Sequence, residues 1–418
     1  MFVYVISKDG QPLMPTSRFG KVRRLLKSKQ AKVIKRCPFT IKLLYETETQ
    51  VVQNLDCGQD TGSKYCGTAV YSNSRIYYQS QLELRDDIKR KMDDRRGYRR
   101  GRRNRKCRYR KARWLNRRNS IKSGRIPPSI ESKISAQERE IEFVMSIMPI
   151  NRVIIEVGQF DPHLMKNPAL ANEKVKHWGY QKGQLYGFDN MRAYVLSRDN
   201  YSCQYCKTKN GSLHIHHIVY RSNGGSDASE NLIVLCEKCH SKLHAGELKE
   251  FETKLIGKKK DQLTHAAQMN IVRSQLLQRH PGYIETYGYI TKHNRQNLGL
   301  SKDHYVDACV IASQGQLFEL NTCTFYKKCV GNGTRVLSKF RKVPVAQTRG
   351  KINGFNKYDK VLVKNKEYFV YARSTTGNFI VEDIFGNRPD FGIKTLGSIA
   401  CKWLKLVNAR RSVICVQT

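Results

Sequence analysis

The chain carries 76 Lys and Arg against 35 Asp and Glu over 418 residues, a formal net charge of +41. Its length allows two or more domains, and its charge points to a polyanionic partner, with nucleic acid the default. No long apolar run or basic amphipathic helix with bulky apolar residues supports a membrane role. The opening MFVYVISKDG lacks the basic region and long apolar stretch of a signal peptide. Thirteen cysteines are present. Nine of them (Cys37, Cys57, Cys66, Cys107, Cys309, Cys323, Cys329, Cys401 and Cys415) show no disulfide framework, which places the chain in a reducing cytoplasm.

Residues 2–7 alternate like a strand, QPLMP at 11–15 reads as a proline-bounded turn, and 18–28 as a basic amphipathic helix. Two more strand-like runs lie in 31–45, so residues 1–52 form a small basic α/β module. LDCGQDTGSKYCGTAV at 55–70 places Asp60 at the end of a strand, before a Gly-Ser turn and a second strand. From 89 to 125, 19 of 37 residues are Lys or Arg. Such a run repels itself when bare, and counterion release on phosphates orders it. Tyr98, Tyr109, Trp114 and Leu115 are interleaved with its charges. A helix over 131–148 follows Pro127-Pro128. Residues 152–157 then read as a central strand covered on both faces, and Glu156 interrupts its apolar run. A carboxylate there is costly unless it is paired or holds metal. Residues 161–190 are a polar connector.

The most specific stretch is YSCQYCKTKNGSLHIHHIVYRSNGGSDASENLIVLCEKCHSKLH at 201–244. Cys203-x-x-Cys206 and Cys236-x-x-Cys239 present four thiolates to one tetrahedral Zn²⁺, a closed and therefore structural site. Residues 213–220 read as a strand, 231–235 as a second, and 237–248 as a helix with His240 and His244 on one face. Lys258, Lys259 and Lys260 begin a basic linker, 261–278 is helical, and 287–295 reads as a strand. His304 and Asp307, three residues apart on a short helix, share a face. From 321 the chain turns to short strands and Gly turns, with a hairpin over 359–373 that turns near Asn365-Lys366 and is continued by 377–383. A small barrel or curled sheet is expected there.

Strand, strand and helix with His216-His217 ending the first strand, Asn231 starting the second and His240 on the helix resembles the HNH (ββα-metal) nucleases. The resemblance implies that His217 is the general base, a role suited to an imidazole. It makes His216 and His240 ligands of one divalent ion, with His244 a further one. Asn231 orients the loop or joins the metal shell.

The PLMP tetrapeptide at 12–15 and the basic helix after it resemble the N-terminal module of the IscB family, transposon-encoded RNA-guided nucleases related to the ancestors of type II CRISPR effectors. The order of motifs extends the resemblance to the whole chain. It implies an α/β multidomain fold: a split RNase H-like (RuvC) nuclease with an inserted zinc-containing HNH domain, an arginine-rich bridge helix and a small C-terminal β-rich domain. The expected boundaries are 1–52 for the PLMP module, 53–88, 126–190 and 263–320 for the RuvC-like parts and connector, 89–125 for the bridge helix, 191–262 for HNH and 321–418 for the region that contacts guide RNA and the target-adjacent motif. In this frame Asp60, Glu156 and Asp307, with His304, hold Mg²⁺ for phosphodiester hydrolysis. Asp56 is the rival to Asp60. Gln59 departs from the apolar residue that is usual before that Asp. Arg95, Arg96, Arg99, Arg100, Arg102, Arg103, Arg105, Arg110 and Arg113 contact guide-RNA phosphates. The HNH unit also takes Mg²⁺. The implied assembly is a monomeric protein with a long structured guide RNA and double-stranded DNA in a prokaryotic cytoplasm. HNH cuts the paired strand and the RuvC-like site cuts the displaced one. A protein-only HNH DNA endonuclease, of intron or anti-phage type, is the alternative, and it leaves the arginine run without a role.

Overall fold

The structure is a computed structural model that describes residues 1–47, 53–103, 126–158, 160, 164–165, 185–221, 225–257, 264–331, 351–374, 376–393 and 395–418. It divides into two units: residues 1–159 with 268–418, and residues 160–267 inserted between them.

The larger unit begins with a four-stranded sheet of β1 (Val3–Ile6), β2 (Pro12–Thr16), β3 (Ala31–Lys35) and β4 (Thr40–Leu43), in the order β2-β1-β4-β3. Helix α1 (Phe19–Lys27) packs Val22 onto Val3, Val5 and Ile41. The PLMP segment is therefore a strand, not the expected turn. It lies at a sheet edge, where two missing N–H groups are tolerated. Tyr4 points the other way, and its hydroxyl donates to the Tyr77 carbonyl oxygen at 3.0 Å.

A seven-stranded mixed sheet is the centre of this unit. It comprises β5 (Leu55–Asp60), β6 (Tyr65–Ser72), β7 (Arg75–Glu83), β8 (Ile150–Glu156), β11 (Ile284–Thr286), β12 (Phe325–Cys329) and β18 (Val413–Gln417), in the order β11-β8-β5-β6-β7-β12-β18. Strands β8 and β5 are parallel, and Asp60 is registered opposite Glu156. After β7 comes α2 (Ile88–Arg103), and before β8 comes α3 (Pro128–Met145). Helix α3 covers one face through Ile134, Ile141 and Val144, against Leu55, Cys57 and Ile155. The other face takes a later helix (His304–Ser313), whose residues 306–313 are all buried, with Ala308, Cys309 and Ala312 on Ala69 and Ile76.

In the inserted unit, α4 (Met191–Arg198) is capped by the Asn190 side chain, which accepts from the Ala193 N–H at 3.0 Å. Strands β9 (Leu213–His217) and β10 (Leu232–Cys236) pair antiparallel and lead into α5 (Glu237–His244), followed by α6 (Lys249–Gly257). Cys203, Ile218, Leu235, Cys236, Cys239 and Leu243 form its core.

Beyond it run α7 (Thr264–Arg279), α8 (Gly288–Asn297) and α9, the helix His304–Ser313 already met. The expected strand over 287–295 is helix α8. Thr291 and Arg295, four apart, are both buried, and this helical period carries less signal than the aromatic and β-branched residues that suggested a strand. The C-terminal region supplies β13 (Lys360–Val363), β14 (Lys366–Arg373), β15 (Asn378–Glu382), β16 (Ser398–Ala400) and β17 (Lys405–Asn408), a five-stranded sheet in the order β16-β15-β14-β13-β17. Its first hairpin turns at Lys364-Asn365, both left-handed, which suits a two-residue turn between twisted strands. Strands β12 and β18, although within 321–418, belong to the central sheet.

Candidate nuclease sites

Three constellations stand out. The first is sulfur. The Sγ atoms of Cys203, Cys206, Cys236 and Cys239 all lie within 4.8 Å of one another. Cys206 and Cys236 are 3.7 Å apart, against about 3.8 Å for two sulfurs on a tetrahedral ion with bonds of about 2.3 Å. Burial raises the Cys203 thiol, but backbone hydrogen bonds from Cys206, Cys236 and Tyr205 more than offset it, to about 7. The donor set fits Zn²⁺, which would brace the turn before β9 against the start of α5.

The second is imidazole. His216, the last residue but one of β9, faces α5, which presents His240 and His244 one turn apart, and one ring nitrogen of each lies within 4.8 Å of the others. Burial, then His240, His244 and His217, push His216 down to about 4, so it is neutral at pH 7. His217 alternates to the opposite side of the strand. Its Nε2 lies 2.8 Å from Asp227 Oδ1, and Arg221 binds the same carboxylate. Asn231 is fully buried and outside the imidazole group. Its Nδ2 donates to the carbonyl oxygens of Val219 (3.0 Å) and Ser226 (2.8 Å), and its Oδ1 accepts from the Val219 N–H (2.9 Å). It thus ties down the loop that brings Asp227 to His217. Sequence reading missed Asp227, an ordinary loop acid until the loop closes. His214 also stacks on His240, with ring centroids 5.4 Å apart.

The third is carboxylate. Asp60 and Glu156 end adjacent parallel strands, and His304 Nδ1 lies 2.5 Å from Asp60 Oδ2. Asp307, one turn along α9, gives one oxygen to the buried Arg295, whose Nη1 donates at 2.7 Å. Burial, then Asp60, push Glu156 up to about 7. Burial and Asp60 also raise Asp307 above the usual carboxylate range. The three acids do not form a group as tight as the other two. Their oxygens suit a hard cation such as Mg²⁺, which would neutralise charge on a bound phosphate. Asp56 is paired with Arg152 at the far end of β5, about 13 Å from Asp60 by strand rise. Gln59 points to the opposite face, where its Nε2 donates to the Gln137 carbonyl oxygen at 3.2 Å. The irregularity before Asp60 therefore lies outside the site.

Arg295 is a second residue that sequence reading missed. Arg295→Ala leaves the Asp307 carboxylate buried without its partner, and a loss of about 3–5 kcal/mol is expected. Arg295→Lys recovers part of it, and chemical denaturation of both variants measures the difference.

The two histidine and carboxylate groups imply opposite pH dependences. His216 titrates near 6.5 unfolded and about 4 folded. The unfolded chain therefore binds the extra proton between those values, and stability is lost as pH falls from 6.5 to 4. Glu156 titrates near 4.5 unfolded and about 7 folded. The folded form holds the extra proton, so stability is full below 4.5 and lost as pH rises through 7. Hydrogen exchange on the metal-free chain, corrected for intrinsic rates, is expected to show β9–β10 loosening on acidification and β5–β8 tightening.

On the bridge-helix segment, Arg95, Arg96 and Arg99 are exposed along α2. The helix continues to Arg103, so the backbone of Arg100, Arg102 and Arg103 lies within it. Arg105, Arg110 and Arg113 lie outside the described residues. No helix among the described residues is long and apolar enough to cross a membrane.

A strand pair, a helix and clustered histidines beside a four-cysteine cluster define an HNH nuclease, and the HNH endonuclease family matches residues 203–246. The RRXRR protein family matches residues 3–183, and the two matches together support an IscB-like nuclease. Anaredoxin of Nostoc sp. is 40% identical over 55 residues, 13% of this chain and 72% of that protein. The type IV methyl-directed restriction enzyme EcoKMcrA of Escherichia coli is 31% identical over 99 residues, 22% of this chain and 35% of that enzyme's length. A type II-C Cas9 enzyme of Actinomyces naeslundii aligns at 18% identity over 45% of this chain and 28% of its own, with a TM-score of 0.18, too low to carry structural weight.

Proposed function

We propose that this nuclease is an RNA-guided endonuclease for double-stranded DNA with two separate hydrolytic sites. In the histidine site His217 is the general base. Its Nε2–H donates to Asp227 and leaves Nδ1 free to take a proton from water. His216, His240 and His244 hold the ion, and Asn231 keeps the loop in place. In the carboxylate site Asp60, Glu156 and Asp307 hold Mg²⁺, with His304 beside Asp60, on the sheet we take as RuvC-like. The histidine site cuts the RNA-paired strand and the carboxylate site cuts the displaced one. The observation that carries the reading is the pairing of these two constellations in one chain with the exposed arginines of α2, which suit an RNA backbone. We divide the chain as the motif order implies and place the ribonucleoprotein in a prokaryotic cytoplasm.

Similarity to a restriction enzyme over 22% of the chain favours a second reading, a protein-only endonuclease. The test is to purify the protein from cells that also express its flanking DNA, sequence any bound RNA, and assay cleavage before and after ribonuclease. One discrete RNA, with cutting lost on its digestion, is expected. Cutting that survives digestion identifies the protein-only enzyme.

A further inference from the structure

The two sites offer different donor atoms, and the family expectation of Mg²⁺ at both does not fit the histidine group. Mg²⁺ is hard, gives up its water reluctantly, and is held through carboxylate and phosphate oxygens. Imidazole suits first-row transition ions. His216, His240 and His244 bring three nitrogens within 4.8 Å, and among the described residues no carboxylate joins them. The acid nearest in function, Asp227, is engaged by His217 and Arg221. We propose that the histidine group is a transition-metal site, taking Mn²⁺, Co²⁺, Ni²⁺ or Zn²⁺ in preference to Mg²⁺, while the carboxylate group takes Mg²⁺. The two cuts then depend on different ions, and the supply of transition metal decides whether the enzyme nicks or severs its target.

The arrangement supports selectivity in two further ways. His216 is 3% exposed, so the ligand on β9 is held by the packing around it, while His240 is half-buried and His244 exposed. His240 and His244 sit on the helix whose first turn carries Cys239, so the cysteine cluster sets the register of both. Three nitrogen ligands leave a position open for water or phosphate, unlike the closed cysteine cluster. The consequence for strand cutting rests on the proposed two-site reading; the binding claim does not.

The experiment titrates Co²⁺ into the metal-stripped full chain and follows bound metal by elemental analysis, together with the visible cobalt spectrum. The wild type is expected to bind a nitrogen-ligated equivalent beyond the thiolate-ligated one. His216→Ala and His240→Ala lose that equivalent and keep the thiolate band, which shows that the unit still folds. About a hundredfold excess of Mg²⁺ leaves the nitrogen-ligated equivalent in place, and affinity rises from Mn²⁺ to Co²⁺ to Ni²⁺. His216→Asp supplies a hard oxygen and narrows the preference over Mg²⁺. Equal cobalt in wild type and His216→Ala, or displacement by Mg²⁺, removes the proposal. In cleavage assays Mg²⁺ alone gives a single nick, and added Mn²⁺ or Co²⁺ gives the second cut. If no ion supports any cutting while the metal counts hold, the two-site function fails and the metal assignment stands.

Discussion

His217→Ala is expected to slow the cut at the histidine site by about 10²–10⁴-fold, the usual worth of a positioned general base, and to leave the other cut running. On the proposed two-site reading, a supercoiled plasmid target then accumulates as nicked circle, and a denaturing gel shows the RNA-paired strand intact. Asp60→Ala gives the complementary nick. The expectation follows from chemistry that the two sites do not share. His217 and its partner Asp227 lie in the inserted unit, and Asp60 lies in the larger one. Asp227→Asn is expected to cost less, about tenfold or more, because it orients the imidazole without taking the proton. Linear product from His217→Ala would place the base elsewhere.

Gly67→Ala is the second large effect, and it acts through packing. A Cβ at Gly67 would stand 1.8 Å from the His304 carbonyl oxygen and 2.4 Å from its carbon. Both are backbone atoms and cannot swing away. At Gly58 a Cβ would meet Ala312 N at 2.4 Å and Ala308 O at 2.5 Å. These two glycines let α9 lie directly on β5 and β6, and that contact brings His304 and Asp307 over Asp60. Overpacking in such a place costs about 1–3 kcal/mol or more. A shift of α9 by about 1 Å is expected to cost the carboxylate-site cut about 10²-fold. The histidine-site cut serves as the internal control. Gly97→Ala in α2, where a Cβ meets nothing within 4 Å, leaves both cuts unchanged. A Gly67→Ala enzyme that cuts both strands at the wild-type rate would show that α9 has room to adjust.

The residues themselves determined what is local. Two C-x-x-C pairs announce a sulfur site because the motif puts both thiols on one tight turn. His240 and His244 share a helix face by spacing alone, and so do His304 and Asp307. The order of strands in 31–45 and the hairpin after 359 were legible from alternation and turn chemistry.

What only the tertiary structure decided is which distant residues meet. Asp60 precedes the Gly-Ser turn and Asp56 is its rival, but the register of β5 against β8 is what sets Asp60 opposite Glu156 and Asp56 opposite Arg152. Gln59 looked like a blemish in a motif, but strand alternation turns it to the α3 face, away from the acids. PLMP looked like a turn because its prolines cannot donate, and an edge position is where that deficit costs nothing. Residues 287–295 looked extended from composition, and burial of Thr291 and Arg295 on one side of α8 settles them as helix. Arg295 and Asp227 carry no local signal. An arginine 12 residues before an aspartate, or an aspartate 10 residues after a histidine, becomes a partner only when the intervening chain folds back. Spacing along the chain specifies neighbours within one turn or one strand, and packing between elements selects all the others.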